Sequence, residues 1–264
     1  MAITTDWQDM PRGLVRVRRS DRVAWIVLDA PPANNYSPDM LRDIDEAVLD
    51  ARSESEVDVV VITGGGDKFF CSGADIQVLS NAAPEWKYSF CLHANETMLR
   101  LENTPKLIIA ALNGHCVGGG LEVALACDLR LARNGAKGGK EPRLGLPEVN
   151  LGVLPGTGGT QRLSRLLGPA RALEWMTEGR LVGPSEALTE GLVHQVFDYD
   201  DFTASVQNFA EGFCAPKKAA KAVGLIKRAV RGGSDLPLEA GLALERELQQ
   251  RLFESRDAAE GIAA

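Results

Sequence analysis

Apolar and polar positions along the chain fall into two rhythms. Residues 14–18 (Leu14-Val15-Arg16-Val17-Arg18) alternate with period two, Ser20-Asp21 makes a turn, and 23–28 is a continuous apolar run, which together predict a hairpin. After a Pro- and Asn-rich loop over 29–36, Ser37-Pro38 reads as a helix cap followed by its first residue. Leu41, Ile44, Val48 and Ala51 then recur at helical spacing. Residues 57–63 predict a buried strand ended by Gly64-Gly65-Gly66, with an apolar stub, Gly73 and a helix start following. Pro84 opens a helix to about residue 103, and 107–112 is the next buried strand. Asn113-Gly114 breaks that strand, Gly118-Gly119-Gly120 follow, and 121–126 read as a helix. A short strand over 128–132 and a Gly/Pro-rich stretch over 145–163, with a helix starting near Gly158, complete this part.

Beyond Gly168 the pattern turns mostly helical: 170–177, 184–189, 202–213, 216–231 and 237–255, interrupted by a strand over 192–197. The shift from strand-rich to helix-rich sequence places a boundary near residue 198, giving a core of residues 1–197 and a helical region of residues 198–264. The units 57–79 and 107–126 share the order strand, glycine loop, helix, and look like weak internal repeats.

The 264 residues, 45% hydrophobic and 25% charged, fit one large domain, or one domain plus an appendage, with a sizeable core. A net charge of −7 argues against a nucleic-acid-binding or anionic-membrane surface, so an anionic ligand would need local basic residues and backbone N–H groups. No apolar run approaches membrane-spanning length and no leader pattern is visible, so the expected location is the cytoplasm. Five cysteines lack metal-ligand or paired spacing and read as reduced thiols. His93, His115 and His194 are scattered, so no metal site is expected.

Candidate chemistry concentrates at the two glycine junctions. Glycines between a strand and a helix let a ligand approach bare N–H groups, and the new helix adds its positive end. Two such junctions on neighbouring strands could aim their N–H groups at one oxygen. Glu122, two residues past Gly120, and Glu148, in the second glycine-rich stretch, could supply paired carboxylates for acid–base work on a shared water. The plainer reading stands beside it: a tight strand–helix crossing, with Glu122 a favourable first-turn charge. No GxGxxG, P-loop or GxSxG pattern competes.

Three stretches together resemble the crotonase (enoyl-CoA hydratase/isomerase) superfamily. They are Phe70-Cys71-Ser72-Gly73-Ala74-Asp75-Ile76, then Ala110-Ala111-Leu112-Asn113-Gly114 with Gly118-Gly119-Gly120-Leu121-Glu122, and then Leu146-Pro147-Glu148-Val149 through Pro155-Gly156-Thr157-Gly158-Gly159-Thr160-Gln161-Arg162-Leu163. The resemblance implies an α/β superhelix of ββα units whose helical C-terminal region builds a trimer, often stacked as a hexamer. It implies an acyl-CoA thioester substrate, with coenzyme A part of that substrate and no separate cofactor. Matched by motif, the Ala74 and Gly119 N–H groups would form the oxyanion hole. Ser72, Ala74, Ile76 and Gln77 would lie along the CoA, Lys68 would keep one basic contact, and Gly156 would help hold a water. Glutamates at both positions, Glu122 and Glu148, favour hydration of a trans-2-enoyl-CoA over isomerisation. The sequence departs from the family at Pro31-Pro32-Ala33 and at Gln77, where lysines are frequent, and in ending at Ala264 without a basic, aromatic tail. A basic loop carrying Lys137, Lys140 and Arg143 is either a solvated surface or a substitute grip for the CoA phosphates.

Overall fold

A computed structural model describes residues 3–135 and 140–263, so Lys137 lies outside the described residues. In chain order the strands are β1 (Gln8–Asp9), β2 (Val15–Ser20), β3 (Val23–Leu28), β4 (Val59–Gly64), β5 (Phe69–Cys71), β6 (Leu107–Leu112), β7 (His115–Val117), β8 (Leu129–Arg133), β9 (Leu144–Gly145), β10 (Leu181–Val182) and β11 (Gln195–Phe197). The helices are α1 (Pro38–Ser53), α2 (Ile76–Asn81), α3 (Pro84–Glu102), α4 (Gly119–Ala126), α5 (Gly159–Leu167), α6 (Pro169–Glu178), α7 (Pro184–Thr189), α8 (Phe202–Glu211), α9 (Ala220–Gly233), α10 (Leu238–Phe253) and α11 (Arg256–Ala263).

The strands form two sheets, and successive units feed both. The larger has the order β1-β2-β3-β4-β6-β8-β11, parallel from β3 onward; the smaller has the order β10-β9-β7-β5. The chain runs β4 then β5, β6 then β7, β8 then β9, giving one strand to each sheet before it turns into helix. This is the spiral of ββα units that the resemblance implies. The short strands explain a difference from the expectation: β7 stands between Asn113-Gly114 and α4, where the sequence suggested a direct strand–glycine–helix passage.

α1 forms where expected. Ser37 Oγ accepts from Met40 N at 3.3 Å, Pro38 opens the helix, and the stripe Leu41, Ile44, Val48 and Ala51 is buried. α4 is buried on every side, so its sequence Leu121-Glu122-Val123-Ala124-Leu125-Ala126 carries no polar face, and Glu122 is the one charged residue in it. Two asparagines brace the glycine turns. Asn113 Oδ1 accepts from Gly64 N at 3.0 Å, and its Nδ2 donates to Gly64 O at 2.9 Å and Gly66 O at 2.8 Å. Asn34 Nδ2 donates to Gly65 O and Phe69 O, both at 3.0 Å. These bonds tie the end of β4 to the start of β5, setting the angle at which the chain leaves one sheet for the other.

The outer face of the large sheet is covered by α8, whose Phe202, Val206 and Ala210 pack with Val23, Trp25, Val59, Val61 and Ile109. Leu192 and Val193, expected to start a strand, instead donate their N–H groups to Ala187 O and close α7; β11 begins at Gln195. A last helix, α11, follows a Ser255 turn that the sequence reading took as the end of α10. Ser255 Oγ accepts from Ala258 N at 3.3 Å and so starts the new helix.

Candidate active site

β4 and β6 lie side by side in parallel register, Val61 opposite Ile109, and β5 pairs with β7 in the second sheet, Cys71 opposite Cys116. The two glycine junctions therefore emerge next to each other. Gly73 adopts φ 91°, and a Cβ there would lie 2.7 Å from Gly119 N, a separation real side chains do not reach. Tyr36 N donates to Gly73 O at 2.9 Å, and Asp75 N donates to Tyr36 O at 3.2 Å. Because N–H groups alternate sides along extended backbone, the Ala74 N–H between these bonds points away from Tyr36. The geometry thus brings Ala74 and Gly119, the two residues matched to the oxyanion hole, to one place.

Glu122 projects away from the start of its own helix. Its Oε1 accepts from Thr157 N at 2.8 Å and from Gly159 N at 2.7 Å, at the first turn of α5, and Thr157 Oγ1 donates to Oε2. The first-turn charge of α4 is thus spent on the N-terminus of α5, where N–H groups and helix dipole favour an anion. Burial pushes the Glu122 carboxyl above the ordinary range; the Thr157 hydroxyl, the Gly159 and Thr157 N–H groups and Arg162 oppose that shift. Arg162 is itself clamped by Glu102, with Nε to Oε1 at 2.9 Å and Nη2 to Oε2 at 2.8 Å.

Glu148 opens a 3-10 turn, Glu148–Leu151, behind Pro147. Its Oε1 lies 3.3 Å from where a Cβ on Gly118 would be, so the carboxylate faces the start of α4. Oε2 is buried and without a hydrogen-bond partner among the described residues. Burial, and then the negative charge of Glu122, push the Glu148 carboxyl from 4.5 up to about 7. Glu122 and Glu148 therefore feel each other's charge and differ in kind: one is held by three donors, while the other has its own backbone N–H and an Oε2 without a partner among the described residues.

The remaining predicted contacts spread along the loops. Ser72 is half-buried; its N–H donates to Ala33 O at 3.1 Å, and its Oγ accepts from Asn35 Nδ2 at 2.8 Å. Ile76 is 60% exposed at the start of α2, beside an exposed Gln77 whose N–H donates to Asp75 Oδ1 at 2.9 Å. Lys68 is exposed, with Nζ 5.3 Å from the Phe69 ring. Gly156 is exposed just before Thr157, and a Cβ there would lie 3.7 Å from Cys91 Sγ. Arg143, in the basic loop, pairs loosely with Glu141 at 3.8 Å, and its N–H donates to His115 Nδ1 at 3.0 Å. The three histidines serve structure: His194 Nδ1 accepts from Arg130 N at 3.1 Å, and His93 Nε2 lies 3.1 Å from Asp45.

Thr157, Gly159 and Tyr36 escaped the sequence reading as site residues. Thr157 and Gly159 sit inside a quoted motif, where a hydroxyl among glycines reads as turn chemistry. Tyr36 sits in the Pro/Asn-rich loop and reaches Thr157 across 121 residues of sequence.

The fold is that of the crotonase superfamily. A crystal structure of an enoyl-CoA hydratase from Geobacillus kaustophilus HTA426 superposes with a TM-score of 0.89 at 41% identity, covering 95% of this chain and 92% of that one. The short-chain-enoyl-CoA hydratase of Clostridium acetobutylicum is 34% identical over 95% of this chain and 93% of its own length. The (E)-benzylidenesuccinyl-CoA hydratase of Thauera aromatica is 35% identical over 95% and 94%, respectively. The family model for enoyl-CoA hydratase/isomerase matches residues 18–264, and the chain belongs to that family.

Proposed function

We propose that this protein is an enoyl-CoA hydratase, adding water to a trans-2-enoyl-CoA to give a 3-hydroxyacyl-CoA. The observation that carries this reading is the carboxylate pair beside the glycine junction: Glu122 is buried and triply hydrogen-bonded, and Glu148 is half-buried and raised to about 7. Isomerisation needs one base that moves a proton between two carbons; addition of water needs a group to take a proton and another to give one.

In this mechanism the thioester oxygen lies between the Ala74 and Gly119 N–H groups, which stabilise the negative charge that builds there as water attacks C3. Glu122, whose three donors favour its ionised form, accepts the proton from water, with the Gly156 N–H helping to hold that water. Glu148, with no donor to Oε2 among the described residues, enters protonated and delivers its proton to C2. The product leaves with the proton now on Glu122 and the charge on Glu148, and exchange with solvent resets the pair. Ser72, Ala74, Ile76, Gln77 and Lys68 line the course of the CoA. No cofactor beyond the CoA of the substrate is required by this chemistry.

The exposed apolar residues of α9 to α11, among them Ile226, Val230, Leu242, Phe253 and Ile262, support assembly as a homotrimer or homohexamer. Sedimentation showing only 28.4 kDa species at micromolar concentration would reject that assembly. Loss of enoyl-thioester absorbance on mixing with crotonyl-CoA, with 3-hydroxybutyryl-CoA recovered, is the result expected for activity. Migration of the double bond in a 3-enoyl-CoA without water uptake would reassign the protein to isomerisation. Among the described residues no helix is long and apolar enough to cross a membrane.

A further inference from the structure

The Glu122 carboxylate is the end of a side-chain hydrogen-bond chain that its backbone donors do not require. A carboxylate only accepts, so the single proton of Thr157 Oγ1 points at Glu122 Oε2. Thr157 Oγ1 also lies 3.1 Å from Tyr36 Oη, and with its own proton committed it must accept there, making Tyr36 the donor. The order Tyr36 O–H to Thr157 O–H to Glu122 is therefore fixed, and both O–H dipoles point toward the negative charge. Every member is buried: Tyr36 is 2% exposed, Thr157 4% and Glu122 2%.

Tyr36 is held at both ends. Its ring stacks on Phe90 with centroids 5.8 Å apart, and Phe90 stacks on Trp86 at 5.4 Å. Its backbone is paired to the Gly73-Ala74-Asp75 segment, and its hydroxyl lies 2.2 Å from where a Cβ on Gly119 would be. One residue thus contacts both glycine junctions and the relay to Glu122. The other ionisable groups that face Glu122 are Glu148 of the 3-10 turn, Arg162 of α5, Cys91 of α3 and Tyr36 itself. Arg162 is clamped by Glu102, and among the described residues Thr157 is the side chain that donates a hydrogen bond to Glu122.

We propose that Thr157 and Tyr36 are positioning residues for Glu122, forming an ordered hydroxyl chain that holds its carboxylate ionised and in the rotamer that meets the attacking water. The proposal rests on the hydratase reading for the role of Glu122. It implies that the acidic limb of activity is set by two hydroxyls absent from the carboxylate pair itself.

The test compares the full-length protein with Thr157→Val, Thr157→Ser and Tyr36→Phe, using crotonyl-CoA across pH. It adds a carbon-13 titration of the Glu122 side-chain carboxyl, assigned by difference from Glu122→Gln. Thr157→Val keeps the shape and removes the donor, so kcat should fall about 10- to 100-fold with KM nearly unchanged, and the acidic limb should move to higher pH. Thr157→Ser should restore the limb and most of kcat. Tyr36→Phe should move both readings in the same direction but less, because the Thr157 proton remains on Glu122. A Thr157→Val limb at the parent's pH, or a Thr157→Ser variant as impaired as Thr157→Val, would overturn the proposal. If the parent does not hydrate crotonyl-CoA, the hydratase reading fails by itself, and the carboxyl titration still decides the hydroxyl chain. An unmoved Glu122 midpoint in Thr157→Val, or in Tyr36→Phe should the former not fold, rejects it.

Discussion

Replacing Glu148 by Gln should cost the protein its activity and make it more stable above neutral pH. The Glu148 carboxyl is raised from 4.5 to about 7 by burial and by the charge of Glu122, and its Oε2 has no partner among the described residues. A carboxyl whose pKa is higher folded than unfolded binds its proton more tightly in the folded state. The resulting stability is fully present below about 4.5 and is lost as pH rises through about 7. Above that point the parent carries an ionised, underpartnered carboxylate that Gln lacks. The whole gap would be worth about 3 kcal/mol, and solvent access to a half-buried group reduces that to about 1–2 kcal/mol. For a chain of this length that corresponds to a Tm higher by about 2–4 °C in the variant at alkaline pH. Tm should be followed from about pH 5 to pH 9 for both proteins, together with hydration of crotonyl-CoA. The curves should converge at the acid end and separate through neutrality, and hydration should fall by at least about 10²-fold. Parallel Tm curves, or a variant less stable at alkaline pH, would refute the claim that Glu148 is held against its charge. Parent-rate hydration by the variant would refute its role as proton donor.

Glu122→Gln should lower kcat by at least about 10²-fold with a smaller change in KM, and the double variant with Glu148→Gln should lose much less than the product of the single losses, since both act in one addition step; steady-state kinetics of the three proteins decides both points. The pH profile of kcat/KM should be bell-shaped with its alkaline limb near 7, because the active pair carries one proton; and since hydration consumes no net proton, the same profile should appear for dehydration of the 3-hydroxyacyl-CoA. Gly119→Ala would put a Cβ 2.2 Å from Tyr36 Oη and should displace the Gly119 N–H, lowering kcat about 10²- to 10³-fold in the same assay, whereas full activity in a folded variant would remove Gly119 from the oxyanion hole. Asn113→Ala removes the side-chain bonds to the Gly64 N–H, the Gly64 carbonyl and the Gly66 carbonyl and should cost about 2–4 kcal/mol in urea unfolding; a loss below about 0.5 kcal/mol would mean that the brace is dispensable.

The parts of this molecule that were legible in the sequence are those whose signal is local. The stripe of α1 announced itself through Ser37-Pro38 and four apolar residues at helical spacing, and β3 and β6 through unbroken apolar runs. The glycine-flanked motifs were legible because close backbone approach leaves few residue choices; Glu122 and Glu148 stand out beside them, and the resemblance to the crotonase superfamily added Ala74 and Gly119. The second sheet was not legible. β5 and β7 have three residues each and β9 and β10 two, too few to show a period, and they are held by pairing between distant segments. Phe69 opposite His115 is a contact no local rule supplies. The same limit hid Tyr36 and Thr157, since neither residue carries a local mark of its partner.

That division has a chemical counterpart. The two groups proposed to meet a thioester oxygen are backbone N–H groups, carried on loops that β4 beside β6 and β5 beside β7 bring together, so side-chain substitution there would act through shape. The groups proposed to move protons are side chains, and their properties are set by what packs on them. Glu122 and Glu148 are the same residue type in one site, and burial raises both carboxyls, yet three donors oppose that rise in the first, while a neighbouring charge adds to it in the second. A scaffold that fixes the electrophile's oxygen by topology can therefore change its reaction by altering a few contacts to two carboxylates. In this chain the contacts open to such change are the Thr157 and Tyr36 hydroxyls. Removing them should alter proton handling while leaving the backbone N–H groups of Ala74 and Gly119 in place.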